Sequence, residues 1–441
     1  MAVVSSPISA SGLNLFQRLT RRWEAVHPYN AAQILRISGR LEPSSAAGAW
    51  AEALWALGLG RVRVIEPSRF CHEALNGEMD RYPLTVLPAG TSLETHLTAE
   101  LNRRFDDPDE PPFRPFLRQG EGESYFGVVY QHWVADSVAI RFVLQEWLAR
   151  VFDPSAARGS TLRRSPGGYW RLFGRRGGWR LDEGLLSGFR THMRHRRVRK
   201  VRTAGTADYP VRVTLHDAPL GTIDGLRDFA RLQDCKLHDV LLAAVAEACG
   251  CYVPTQVRRN RPDLSVGSIV DLRPHAAEGL EDAFGLFLGF THVVCRPEDL
   301  RDWPRLLRRV AAQNRVHKNS GLPQASMLWM LAAMAFGPLV PDAKLYSFYR
   351  KEMPMAGGLS NVNLNGTWAA RYHPEPLRQY IRVSPTGPLV PLVFSATTLG
   401  SQLSVSVTCR EALLTREAAG QMAEAFLDRL ARSRIDNAAR K

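Results

Sequence analysis

Strand-patterned and helix-patterned segments alternate along most of this chain, and that alternation restricts it to an α/β fold. AAQILRISGRL reads as a strand and SSAAGAWAEALWALG as a helix, with Ser44 or Ser45 capping and Trp50, Leu54 and Leu57 on one face. ESYFGVVYQHWVADS is a further strand, and Asp136 or Ser137 can cap the helix SVAIRFVLQEWLARVF behind it. Later come strand YPVRVTLH, helix KLHDVLLAAVAEACGCYV, strand LSVGSIVDLRP, and helices around RDWPRLLRRVAAQNRVHK and ASMLWMLAAMAFG. The chain closes on two strands in PLVPLVFSATTLGSQLSVSVTCREALL, turning at Leu399-Gly400-Ser401, and a helix, TREAAGQMAEAFLDRLARSR, capped by Thr415.

From Asp153 to about Thr206 the alternation dissolves, because Pro, paired glycines and arginine runs interrupt any long element. The expected organisation is an N-terminal lobe at 1–155, a basic linker at 156–206 and a C-terminal lobe at 207–441. With 441 residues, 45% of them hydrophobic, each lobe can bury its own core. Residues 158–202 hold 14 Arg or Lys against two acids, Asp182 and Glu183, and so carry +12 of the net charge of +14. The rest is nearly neutral, which makes the positive charge a property of one segment.

Several functions lose support. No stretch reaches the roughly 18 uncharged apolar residues of a membrane-spanning helix, and no basic n-region opens the chain. The six cysteines are scattered without a CxxC pair, so a reducing cytoplasm is the expected setting. There is no GxxxxGK[ST], no GxGxxG after a strand and no GxSxG. His72-Glu73 opens like HExxH, but Asn76 occupies the second histidine's place, and no metal site is expected.

The sharpest motif is His132-Trp133-Val134-Ala135-Asp136, an HxxxD straddling a strand end and a helix start. On spacing alone, a packed core histidine and an N-cap aspartate explain it. The surroundings, however, resemble the chloramphenicol acetyltransferase-like superfamily, which includes the condensation domains of nonribosomal peptide synthetases and whose signature is HHxxxDG. Gln131 stands at the first histidine and Ser137 at the glycine. PYNAAQILRISGRL looks like that family's first strand, KLHDVLLAAVAEA like its helix with His238 in an asparagine position, and VDLRP like its arginine strand. Phe284 to Gly289 looks like its G-x-F-x-N loop, and Ser360-Asn361-Val362 like its S-N-x strand end. The DFGWG of the plant BAHD enzymes is absent, since Asp282-Ala283-Phe284-Gly285 lies too early.

The resemblance implies two similar lobes, each a mixed β-sheet packed with helices, with an active-site tunnel between them. It implies an acyltransferase in which His132 takes a proton from a hydroxyl or amine as that group attacks a thioester, in secondary-metabolite or lipid-ester biosynthesis. Asp136 would orient the turn through an arginine, with Arg273 preferred over Arg61 and Arg63; Gln131, Ser137, Ser360 and Asn361 would face substrates. The implied co-substrate is a CoA or phosphopantetheine thioester, with no permanently bound cofactor. Gln131 and Ser137 also admit a non-catalytic relative that only binds a carrier protein or another partner. The basic segment, interleaved with Tyr169, Trp170, Phe173 and Trp179, is a solvated connector or a docking site. Its candidate partners are an acidic acyl carrier protein or CoA phosphates, then a membrane surface. Nucleic acid ranks last, because no binding module accompanies the charge. His238 reads as a core residue, and His192 and His195 as part of the solvated charge.

Overall fold

The computed structural model describes residues 11–66, 69–73, 83–157, 162–164, 181–202, 209–276, 279–280, 282–323, 325–326, 340–366 and 376–438. The helix expected at 325–337, the aromatics Tyr169, Trp170, Phe173 and Trp179, and Asn76 fall wholly or largely outside them. The chain divides into two compact units. The first comprises residues up to Gly178 together with Arg273–Phe287 and Arg371–Arg378; the second holds the remainder.

In the first unit, the strands Asn30–Ser38, Glu123–Gln131, Phe113–Gln119 and Thr85–Val86 lie side by side in that order. The first two pairs are antiparallel and the last is parallel. The helices Pro43–Ala56 and Ser137–Phe152 pack together beside this sheet, and the Trp147 indole donates to the Ala46 carbonyl at 3.1 Å. Trp147 also stacks on Phe126 from the central strand, with ring centroids 3.7 Å apart. Trp50, Phe126 and Trp147 are fully buried, so large aromatics set the helix-to-sheet spacing. Gly127 faces the ring of Phe116, where an added Cβ would lie 2.2 Å from a ring carbon. Glycine is what lets the strand carrying His132 sit this close to its neighbour.

One local expectation changes. The helix expected to be capped by Ser44 or Ser45 is capped by Glu42, whose carboxylate accepts the Ser45 amide at 2.8 Å. Pro43 explains the shift, because its fixed φ suits the first helical position. His72 and Glu73 lie in the strand Arg69–Glu73 and not on a helix.

The second unit is built on a six-stranded sheet in the order Val211–Asp217, Gln402–Arg410, Leu392–Leu399, Gly357–Asn363, Leu264–Asp271 and Leu288–Cys295. The helices Thr222–Leu232, Leu237–Tyr252 and Arg416–Ala438 pack on one another beside it. Their core runs from Ile223 through Val240, Ala244 and Phe394 to Phe426. The closing hairpin turns at Gly400, whose φ of 60° favours glycine, and Thr415 caps the last helix by accepting the Ala418 amide at 3.2 Å.

One element was not expected. Leu181–His195 is a 15-residue helix inside the stretch read as interrupted linker. Gly184, Ser187, Gly188, Thr191 and His195 form its buried face, while Leu186, Phe189 and Met193 are exposed. Small and polar residues point inward because the helix approaches closely: a Cβ on Gly184 would lie 2.9 Å from that of Ala325. Among the described residues, no helix is long and apolar enough to cross a membrane.

Candidate active site at the His132 loop

The strand Glu123–Gln131 ends where Asn30 pairs with Gln131, which brings the preceding residue of the partner strand, Tyr29, against His132. The His132 amide donates to the Tyr29 carbonyl at 3.1 Å, and the two rings stack with centroids 5.5 Å apart and planes 15° apart. Tyr130 meets the imidazole edge-on at 5.8 Å. His132 Nδ1 lies 2.9 Å from the Ala135 carbonyl oxygen, which can only accept, so Nδ1 carries the proton. In the neutral ring the lone pair then belongs to Nε2. His132 itself is half-buried, whereas Trp133, Val134 and Ala135 are buried.

Asp136 is the N-cap of Ser137–Phe152, and its carboxylate accepts from the amides of Val138 and Ala139 at 3.0 Å each. Its second oxygen accepts the Phe287 amide at 3.0 Å and the Arg273 guanidinium at 2.7 Å, while the other Arg273 nitrogen reaches the first oxygen at 3.0 Å. Asp136 and Arg273 are both buried, 1% and 6% exposed. Burial by itself would raise the Asp136 pKa; the Arg273 charge and these bonds outweigh it and hold the carboxyl below its ordinary range. Arg273 sits just beyond the strand Leu264–Asp271, in the single turn Arg273–His275, with its guanidinium over the Phe287 ring at 4.7 Å. The Gly285 carbonyl accepts the Asp136 amide at 3.0 Å, and Gly285 has a φ of 148°, which glycine tolerates best. The His132 turn is therefore tied at one end by the Tyr29 carbonyl and at the other by Asp136.

Gln131, His132, Asp136, Ser137 and Arg273 come together in the first unit. The Ser137 carbonyl accepts from Gln33 at 3.1 Å. Arg61 and Arg63 instead pair with Glu73. Ser360 and Asn361 belong to the second unit, on the strand Gly357–Asn363. There the buried Arg382 donates to Ser360 Oγ at 2.6 Å, whereas Asn361 Oδ1 is buried with no hydrogen-bond partner among the described residues. Tyr29 and Arg382 escaped the sequence reading. Pairing Asn30 with Gln131 would have found Tyr29; Arg382 sits in a strand that carries no motif.

No family model matches the chain, and no curated protein matches it in sequence. Solved structures do resemble it. The trichothecene 15-O-acetyltransferase TRI3 of Fusarium sporotrichioides is similar with a TM-score of 0.68 at 11% identity, covering 96% of this chain and 95% of that one. The first condensation domain of the CDA synthetase gives 0.64 at 13% identity over 97% of both chains. The chain has the condensation-domain fold. The epimerization domain from the third module of tyrocidine synthetase B shares it at 0.62 and 13% identity, covering 98% of this chain and 99% of that one. These three proteins are named for acetyl transfer, condensation and epimerization, so the condensation-domain fold fixes architecture while the reaction must be argued from side chains.

Proposed function

We propose that the chain is an acyltransferase that moves an acyl group from a CoA or acyl-carrier-protein thioester to a hydroxyl or amine, with His132 as general base. The observation that carries this is the Nδ1 bond to the Ala135 carbonyl, which assigns the lone pair to Nε2 in a half-buried ring fixed on both sides. Nε2 takes the proton from the acceptor as its oxygen or nitrogen attacks the thioester carbonyl. The tetrahedral intermediate collapses, the C–S bond breaks, and the departing sulfur takes the proton back from the imidazolium. Asp136 and Arg273 hold the turn and take no part in proton transfer. Such a base contributes about 10²- to 10⁴-fold; positioning of both substrates and oxyanion stabilisation supply the rest.

The donor is a phosphopantetheine thioester, and the exposed Arg190, Arg194, Arg196 and Arg197 of the basic segment suit an acidic carrier protein or CoA phosphates. The setting is secondary-metabolite or lipid-ester biosynthesis in the cytoplasm. The test is acceptor-dependent thiol release from a panel of acyl-CoA and acyl-carrier-protein thioesters, offered with mixed alcohols and amines. Release that requires the acceptor supports transfer and names the donor. Saturable carrier binding with no release from any donor contradicts it in favour of a binding module.

A further inference from the structure

In the edge strand Leu288–Cys295, Val293 and Cys295 pack into the core beneath the helices, so Phe290 and His292 point to the opposite face of the sheet. The helix Leu181–His195 covers that face, and His195 Nε2 lies 3.1 Å from Ser265 Oγ on the neighbouring strand Leu264–Asp271. Between helix and sheet is a cleft whose enclosed part measures about 30 Å³, and all the residues that line it belong to the second unit. Its floor is imidazole. His195 and His292 are 1% and 6% exposed and stack with centroids 4.1 Å apart. Nδ1 of His195 and both ring nitrogens of His292 are buried without a hydrogen-bond partner among the described residues. The walls are Phe290, Leu322 and Met353, and Gly188 of the helix adds no side chain that would fill the space. Ser326, also at the cleft, is already satisfied: its hydroxyl donates to the Pro323 carbonyl at 2.6 Å and accepts the Phe290 amide at 3.1 Å. Phe290 and Met353 are half-buried, so the cleft opens along them.

This lining selects its guest. Buried ring nitrogens without partners are costly, and they call for a polar group to satisfy them. Among the described residues no carboxylate, lysine or arginine lines the cleft, so a charged guest would meet no counter-charge. Burial holds His195 and His292 below their ordinary pKa, which keeps both rings neutral at pH 7. A metal ion fits poorly, because stacked rings direct their in-plane lone pairs side by side and not at a common point. Among the described residues, moreover, no three His, Cys, Asp or Glu side chains are placed to hold one. A neutral imidazole offers one donor and one acceptor, and a hydroxyl answers both with a single oxygen. The enclosed part has room for about two water-sized groups, enough for the head of a longer molecule.

We propose that this cleft binds an uncharged aliphatic alcohol, its hydroxyl on the His195 and His292 nitrogens and its carbon chain along Phe290, Leu322 and Met353 toward the opening. His132 belongs to the other unit, and the alcohol site stands whether or not the chain transfers acyl groups.

The experiment titrates the full chain at pH 7.5 with ethanol, 1-butanol and 1-hexanol, following the ring resonances of ¹³C-labelled histidine by NMR, with His292→Phe to assign His292. The His195 and His292 signals should move, with a Kd for 1-butanol on the order of 1 to 10 mM. Affinity should rise about two- to fourfold for each added methylene. Butylammonium and butyrate, of the same length but charged, should bind at least about tenfold more weakly than 1-butanol. His292→Phe keeps a ring but removes its nitrogens, and should weaken 1-butanol by about tenfold. Equal affinity for the charged analogues, no gain with chain length, or wild-type affinity in His292→Phe overturns the proposal. Micromolar binding of Zn²⁺ alone at the same rings overturns it in favour of a metal centre. Where His292→Phe does not fold, the charge and chain-length series in wild type decide alone. None of these readouts uses acyl transfer, so failure of the alcohol site and failure of the acyl-transfer reading are told apart.

Discussion

At the scale of single residues, the account turns on a buried charge pair and a histidine with an assigned tautomer. Removing the arginine alone by Arg273→Ala strands the Asp136 carboxylate in the core, and the first unit should lose about 3 to 5 kcal/mol, read from the shift in urea midpoint. Arg273→Lys keeps the charge but loses the two-pronged bond, so a loss as large as that of Arg273→Ala would contradict the geometry. Gly127→Ala should cost about 1 to 3 kcal/mol, because the new methyl must displace the buried Phe116 ring. Unchanged stability in Gly127→Ala would mean the strand spacing is looser than described. The charge pair was legible: the resemblance, and not the HxxxD spacing alone, singled out Asp136 and named Arg273, 137 residues away, as its partner. Tyr29 was not legible as a site residue, because it acts through where its backbone lands relative to the loop.

At the scale of elements, the helix Leu181–His195 shows where pattern reading stops. Hydrophobic periodicity presumes large apolar residues on the buried face, and here glycine, serine, threonine and histidine take that face. His192 and His195 were therefore read as solvated charge, yet His195 is 1% exposed, bonds to Ser265 Oγ at 3.1 Å and stacks on His292 at 4.1 Å. Burial pushes His195 down to about 3 and His317 to about 4, and holds His292 well below 6.5. In the unfolded chain these rings titrate near 6.5, so below that pH the unfolded state binds protons that the folded state refuses. Stability of the second unit is thus complete above about pH 6.5 and falls on acidification, by up to about 1.4 kcal/mol per pH unit for each such histidine. Urea midpoints at pH 7.5 and 5 check this, and His195→Leu should flatten the dependence. Equal slopes in variant and wild type would mean the cluster does not carry it.

At the scale of the whole molecule, alternating strand and helix patterns sufficed to name the fold class, and the condensation-domain likeness over nearly the full chain gives its architecture. What pattern could not supply is the way Arg273–Phe287, distant in sequence, returns to the first unit and completes the Asp136 cradle. The charge asymmetry makes its own prediction. Arg190→Glu with Arg194→Glu should weaken association with an acidic carrier protein about tenfold and flatten its salt dependence, without altering kcat at saturation. Carrier binding that ignores both salt and this charge reversal would remove the basic segment from the docking surface. The central claim, that Nε2 of His132 is the base for acyl transfer, is tested most directly by single-turnover transfer from a pre-bound thioester to its acceptor in wild type and His132→Ala. With the variant shown to be folded by its circular dichroism and urea midpoint, the expected result is a rate lower by about 10²- to 10⁴-fold with donor binding intact. Transfer at the wild-type rate in folded His132→Ala would contradict the claim outright.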